Sequence, residues 1–266
     1  MRLLDGKAKR ATGEADAQSV AERMAAAFAA AQRGDYPTAL ETWGPLAHAG
    51  MPRAQSNIGA CFAEGLGVER DPVLAERWLG LAAAAGDPVG QRNLAALYFN
   101  GEGVERNPAR AAELYRAAAE TGDAIAQDML SEILFTGDGA PRDVGEARRW
   151  ALAAAEQGIA AAMRRLGMIF HDAIGVERDP AAAAQWWDKA ARRGDADAQA
   201  MLGAALHLGA GVSRDGVAAL AWLLRARATG SSLADPFIGP IRRVLTAEQV
   251  ADAEFRAREP LPQPAP

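Results

Sequence analysis

His171, Asp172 and His207 come closest in type and spacing to a chemical site: an imidazole beside a carboxylate, with a second imidazole 36 residues on. Such a set could move a proton or hold a metal ion. The rest of the chain completes neither. The third histidine is His48, and no H-E-x-x-H or Cys–His spacing accompanies any of the three, so no metal site is expected. None of Ser19, Ser56, Ser131, Ser213, Ser231 and Ser232 is followed by Lys three positions later or sits in G-x-S-x-G, so no activated nucleophile is expected. Gly67, Gly103, Gly139, Gly175 and Gly211, all but Gly175 the second of a Gly-x-Gly pair, lack the third glycine and the G-K-[ST] ending of a phosphate loop. The expectation is a chain that is not an enzyme and carries no cofactor.

The bulk properties point the same way. Half of the 266 residues are apolar, enough for a sizeable core, and the net charge of -5 argues against a nucleic-acid partner or a membrane-surface binder. No stretch approaches the length of a membrane span, so no membrane insertion is expected. The single cysteine, Cys61, cannot form an internal disulfide and reads as a core thiol. The first twenty residues scatter charge where a signal peptide would need an apolar run, so the expected location is cytoplasmic.

The elements that position all of these residues repeat. GVERDP stands at 67–72 and again at 175–180, with GVERNP at 103–108. Asp71, Asn107, Asp143, Asp179 and Asp215 keep a 36-residue step, as do Gly50, Gly86, Gly122, Gly158, Gly194 and Gly230. Ala75, Ala111, Ala147, Ala183 and Ala219 form an alanine column, and Trp78, Leu114, Trp150, Trp186 and Trp222 a large apolar column expected to pack in the core. Trp187 breaks a column otherwise made of Leu79, Tyr115, Ala151 and Leu223. Apolar steps of three and four, as in Leu94, Leu97 and Tyr98, make each repeat two helices. In the loop between them glycine ends one helix, Asp or Asn caps the next, and Pro72, Pro108 and Pro180 take its first position. Such a pair cannot bury its apolar face alone, so neighbouring repeats must stack.

The expected organisation is a flexible tail over 1–15, a tetratricopeptide-like unit over 16–52, five repeats over 53–230, capping helices over 231–258 and a Pro-rich tail over 259–266. Ser19 with Glu22, and Thr246 with Gln249, have capping-box spacing at the start of the first and last helices.

The pattern A-x-x-x-L-G-x-x-Y/F, then G-x-G-V-x-x-D, then A-x-x-W and A-A-x-x-G, best seen in Ala161–Phe170 and Ala198–Gly203, resembles the Sel-1-like repeat family, relatives of the tetratricopeptide repeats. The resemblance implies an all-α, right-handed α-solenoid acting as a scaffold or adaptor, with its partner on the concave face lined by the first helix of each repeat; the expected setting is a bacterial signalling or regulatory assembly, with a protein or peptide partner. Cysteine-rich relatives linked to β-lactam binding rest on disulfides that this chain cannot make.

On that helix, one position beyond Phe62, Tyr98 and Phe170, which are expected to be buried, runs the column Ala63, Phe99, Phe135, His171, His207. By analogy with related repeats it faces the groove. Arg92, Asn100, Asp128, Arg164 and Asp172 flank it, giving aromatic anchors with a charged rim, as in a binding hot spot. A groove-based enzyme, or a binder of a small molecule or cell-wall fragment, is the alternative, resting on His171, Asp172 and His207. The loop arginines Arg70, Arg106, Arg142, Arg178 and Arg214 form a further column, either a basic ridge for a second partner or a set of local pairs.

Overall fold

A computed structural model describes residues 19–261. They divide after Asp123 into two compact units. The first holds α1 (19–32), α2 (Tyr36–His48), α3 (Pro52–Glu64), α4 (Pro72–Ala84), α5 (Pro88–Asn100) and α6 (Pro108–Glu120). The second holds α7 (Ala124–Thr136), α8 (Val144–Glu156), α9 (Ala160–His171), α10 (Pro180–Ala191), α11 (Ala196–Leu208), α12 (Gly216–Ala228), a 3-10 turn (Ser232–Ala234), α13 (Asp235–Val244) and α14 (Ala247–Arg258). No strand occurs among the described residues. The tail expected over 1–15, and most of the one expected over 259–266, lie outside them.

Consecutive helices pack on one another from α2 to α6 and from α7 to α12, α13 and α14 both pack on α12, and the first helices of neighbouring repeats also touch, α3 on α5 and α7 on α9. The loop punctuation accounts for the starts. Asp71, Asn107, Asp143, Asp179 and Asp215 each accept a hydrogen bond from the backbone N–H three residues on, at 2.8–3.0 Å. These are N-caps satisfying donors that a helix start leaves orphaned. Asp87 and Asp195 do the same for α5 and α11.

The loop arginines serve the other end. Arg70, Arg106, Arg142 and Arg178 donate through Nε to the carbonyls of Ala63, Phe99, Phe135 and His171 at 2.9–3.2 Å, and Arg214 to that of Leu208. The N–H of each capping Asp or Asn meets a carbonyl just before the arginine's, the adjacent one in Asp179 to Phe170 and Asn107 to Tyr98 and the one two residues earlier in Asp215 to Leu206. Two carbonyls that the helix cannot satisfy are thus closed by the loop that follows it. The arginine column is a C-terminal clasp repeated with the loop.

The core departs from expectation by one position. Leu79, Tyr115, Ala151, Trp187 and Leu223 are the buried column, whereas Trp78, Trp150, Trp186 and Trp222 are only partly buried, Leu114 alone of their column being buried. Trp150 Nε1 donates to Glu146 and Lys189 lies over Trp186, as suits rings at the core margin. Small residues on the first helix make room for the buried column. A Cβ on Gly59 would come within 2.6 Å of Leu79, on Gly203 within 2.7 Å of Leu223, and on Gly167 within 2.2 Å of Trp187. Likewise Phe62, Tyr98 and Phe170 are half-buried, and Cys61, Leu97, Ile133, Ile169 and Ala205 hold the inner position beside them. Burial raises the Cys61 thiol to about 11.

At the ends, Ser19 is the first described residue and is helical, so the start of α1 expected there lies at the edge of the described residues. The Thr246–Gln249 box is present, with Gln249 N–H donating to Thr246 Oγ1 at 3.2 Å and Thr246 N–H to Gln249 Oε1 at 2.9 Å. It starts α14, which packs on α12 and covers the last repeat. Thr246→Ala is expected to lower stability by about 1 kcal/mol, read as a shift in the denaturant midpoint at unchanged slope.

Candidate functional site

α9, α10, α11 and α13 enclose a hollow of about 310 Å³ in the second unit. Gly167 lets the Trp187 ring close on α9, and Met168 and Met201 supply long flexible walls. Ala204, Ala205 and Ala210, where larger residues would fill the space, leave it open. Phe237, from α13 outside the repeats, forms another wall, and Leu208 stands at the rim 54% exposed. His171 and Asp172 complete it. The His171 ring lies 5.3 Å from that of Trp187, and its Nδ1 is 2.7 Å from Asp172 Oδ1; a carboxylate only accepts, so Nδ1 carries the proton.

The backbone beside this pair is strained. Where the other loops have Gly65, Gly101, Gly137 and Gly209 in left-handed conformation, the fourth has Ala173, at φ +56 the one non-glycine residue with positive φ among those described. A left-handed alanine costs about 1–2 kcal/mol. Such strain collects at functional sites.

The structure brings only some of the expected residues together. His171 and Asp172 line the hollow, while His207 turns to Phe237, with the rings 6.3 Å apart. Arg164 is bound to Asp195 at 3.1 Å. Asp128 is taken by the buried Arg165 at 2.6 Å, which also holds Glu132 and Ser131. Phe135 is half-buried beneath Arg142, whose Cζ is 5.9 Å from the ring centre. In the first unit Arg92 holds Asp123 at 2.7 Å, and Phe99 lies half-buried beneath Arg106 at 5.5 Å. The aromatic pair is therefore covered in part by its own loops. Arg92, Arg164 and Asp128 are engaged within the chain.

Asn100 lines a second, smaller hollow in the first unit, about 210 Å³, with Ala63, Glu64, Leu79, Asn93 and Glu102. It occupies the same place in the repeat as the hollow of the second unit, three repeats earlier. Ala63 stands at the position of His171, Glu64 at that of Asp172, Leu79 at Trp187, Asn93 at Met201, Asn100 at Leu208 and Glu102 at Ala210. One frame thus presents a polar cleft in one unit and an apolar one in the other. Among the described residues no three His, Cys, Asp or Glu side chains gather as a metal site, and no helix is long and apolar enough to cross a membrane.

Helix pairs closed by one recurring loop, with hollows that return at the repeat, define an all-α helical-repeat protein. A family model for the Sel1 repeat matches residues 52–87, 88–123, 124–159, 160–195 and 196–230, more than half of the chain. The chain belongs to the Sel1 repeat family, and its fold class is the α-solenoid of that family. A Sel1 repeat protein from Oxalobacter formigenes is 31% identical, with a TM-score of 0.75, over 88% of this chain and 98% of that one. A protective antigen of uropathogenic Escherichia coli strains that displays an SLR fold is 28% identical, with a TM-score of 0.78, over 93% of this chain. The match covers 54% of that antigen, so this chain spans about half its length. No curated protein matches.

Proposed function

We propose that this protein is an interaction scaffold that holds a segment of a partner protein in the hollow of α9, α10, α11 and α13. The hollow itself carries the reading: two methionines, a tryptophan and a phenylalanine surround open space beside a leucine left half in solvent. Flexible Met walls with rigid aromatic anchors suit an apolar side chain from a partner. The family generally mediates protein interactions, which agrees. Regulatory work in a cytoplasmic assembly belongs to this proposal; Cys61, buried and singular, asks for no oxidising compartment.

The catalytic alternative gains nothing from the geometry, since His207 packs on Phe237 and does not converge with His171 and Asp172. Phe135, in the same unit, stays in the proposal as an outer contact, and Phe99 as a separate contact of the first unit.

Ala204→Trp fills the hollow from α11 without altering a cap or an ion pair. We expect the variant to melt like the parent and to lose the partner recovered by crosslinking and affinity capture from the native cell. Recovery of the same partner at the same yield by both proteins would remove the hollow from the binding surface.

A further inference from the structure

The two hollows share a frame and differ at one telling pair. In the first unit Arg70, clasped through Nε to the Ala63 carbonyl, uses Nη2 to hold Glu102 at 3.2 Å, and Glu102 lines the polar hollow. Three repeats later Arg178 stands in the place of Arg70, clasped in the same way to the His171 carbonyl. The place of Glu102 is taken by Ala210, which lines the apolar hollow. Arg178 is exposed, and no carboxylate of the described residues meets its terminal NH2 groups. Its counterpart Arg142 at least covers the Phe135 ring. The first unit therefore shows what the outer edge of this clasped guanidinium binds, and the second has the edge without the acid.

From this we infer that the second-unit hollow recognises an acidic side chain next to a large apolar one on the partner, with the partner's carboxylate on Arg178 where Glu102 sits on Arg70. The inference rests on the scaffold reading above and adds the chemistry of the segment bound. A guanidinium fixed at Nε presents its remaining N–H groups without further loss of side-chain freedom, and a charge-assisted hydrogen bond to a carboxylate is among the stronger polar contacts available. Arg214, clasped to the Leu208 carbonyl on the same rim, adds a second positive charge. Asp172 is the opposing charge at the rim, and its Oδ1 is occupied by His171.

The test uses the full chain and short end-capped peptides of glycine and serine carrying one tryptophan and, at each offset in turn, one glutamate, glutamine or lysine, read by fluorescence anisotropy. Glutamate peptides at the favoured offset should bind on the order of tenfold more tightly than their glutamine counterparts, the size of one charge-assisted hydrogen bond. That gap should close in Arg178→Gln. It should also close in Ala210→Glu, which restores the internal acid and removes no contact, so it reports even if loss of the clasp unsettles the first variant. Equal binding of glutamate and glutamine peptides, a preference for lysine, or a gap that survives both substitutions overturns the inference and leaves the scaffold reading standing. If no peptide binds, the inference falls; if Ala204→Trp also leaves partner capture intact, the scaffold reading falls with it. The same peptides left uncapped at the C-terminus serve as a control, and binding by these alone would overturn the side-chain form proposed here.

Discussion

Arg165→Met is expected to lower the stability of the second unit by about 3 kcal/mol, the cost of leaving a largely buried acid without its cation. Arg165 is 6% exposed and spans from α9 to α7, where it holds Asp128 at 2.6 Å, Glu132 at 2.6 Å and the Ser131 hydroxyl at 3.2 Å. Asp128 carries most of the cost, because its side chain is 15% exposed against 43% for Glu132, which can turn to water. The other repeats show how to remove the loss. Their residues in the Arg165 column are Asn57, Asn93, Met129 and Met201, and the Glu132 column holds Ala60, Ala96, Met168 and Ala204. A triple variant, Arg165→Met with Asp128→Ala and Glu132→Ala, should therefore recover most of the stability, since an apolar set of fitting shape commonly equals a buried ion pair. Denaturant midpoints of parent, single and triple variants decide it. A single variant as stable as the parent would mean that Asp128 finds water.

Gly211→Ala should cost about as much, 2–4 kcal/mol, and Gly194→Ala only about 1 kcal/mol, although both glycines are left-handed. Their φ values are +75 and +89, so the conformational penalty is shared. The surroundings separate them. A Cβ on Gly211 would lie 2.1 Å from the Pro180 carbonyl oxygen, which is backbone at the start of α10 and cannot swing aside, whereas nothing lies within 4 Å of one on Gly194. Thermal melts of the two variants side by side give the comparison, and equal shifts would show that the loop moves away from α10 at little cost.

Helix boundaries were readable because the residues that set them act locally. Asp179 caps the helix that Pro180 enters, and Thr246 reads Gln249, whatever else the fold does. Facing was harder. Trp186 and Trp187 are both large and apolar and lie about 100° apart on one helix, and a helix wedged between two neighbours buries a face wide enough to admit either. What singles out Trp187 lies elsewhere, in Gly167 on α9, so the column of greatest uniform bulk was the wrong guide and the column matched by small partners was the right one. The candidate site was partly legible for the same reason. His171 and Asp172 stand on a single column and its flank, but Met168, Met201, Leu208 and Phe237 come from three helices, and α13 lies outside the repeat. Nor does a column announce where charges go. Arg92, Arg164 and Asp128 look like a rim in the sequence, while in the structure each meets a charge more than thirty residues away.

The glycine of one inter-helix loop resting on the first residue of the second helix of the preceding repeat, Gly103 on Pro72 and Gly211 on Pro180, works as a reading frame. Each contact refers only to the preceding repeat, so a block of 36 residues can be cut out or duplicated within a run of repeats and every glycine still finds a partner. An insertion of any other size in a helix pair shifts the phase of all that follows. Copy number is thus open to change during evolution, and period is not.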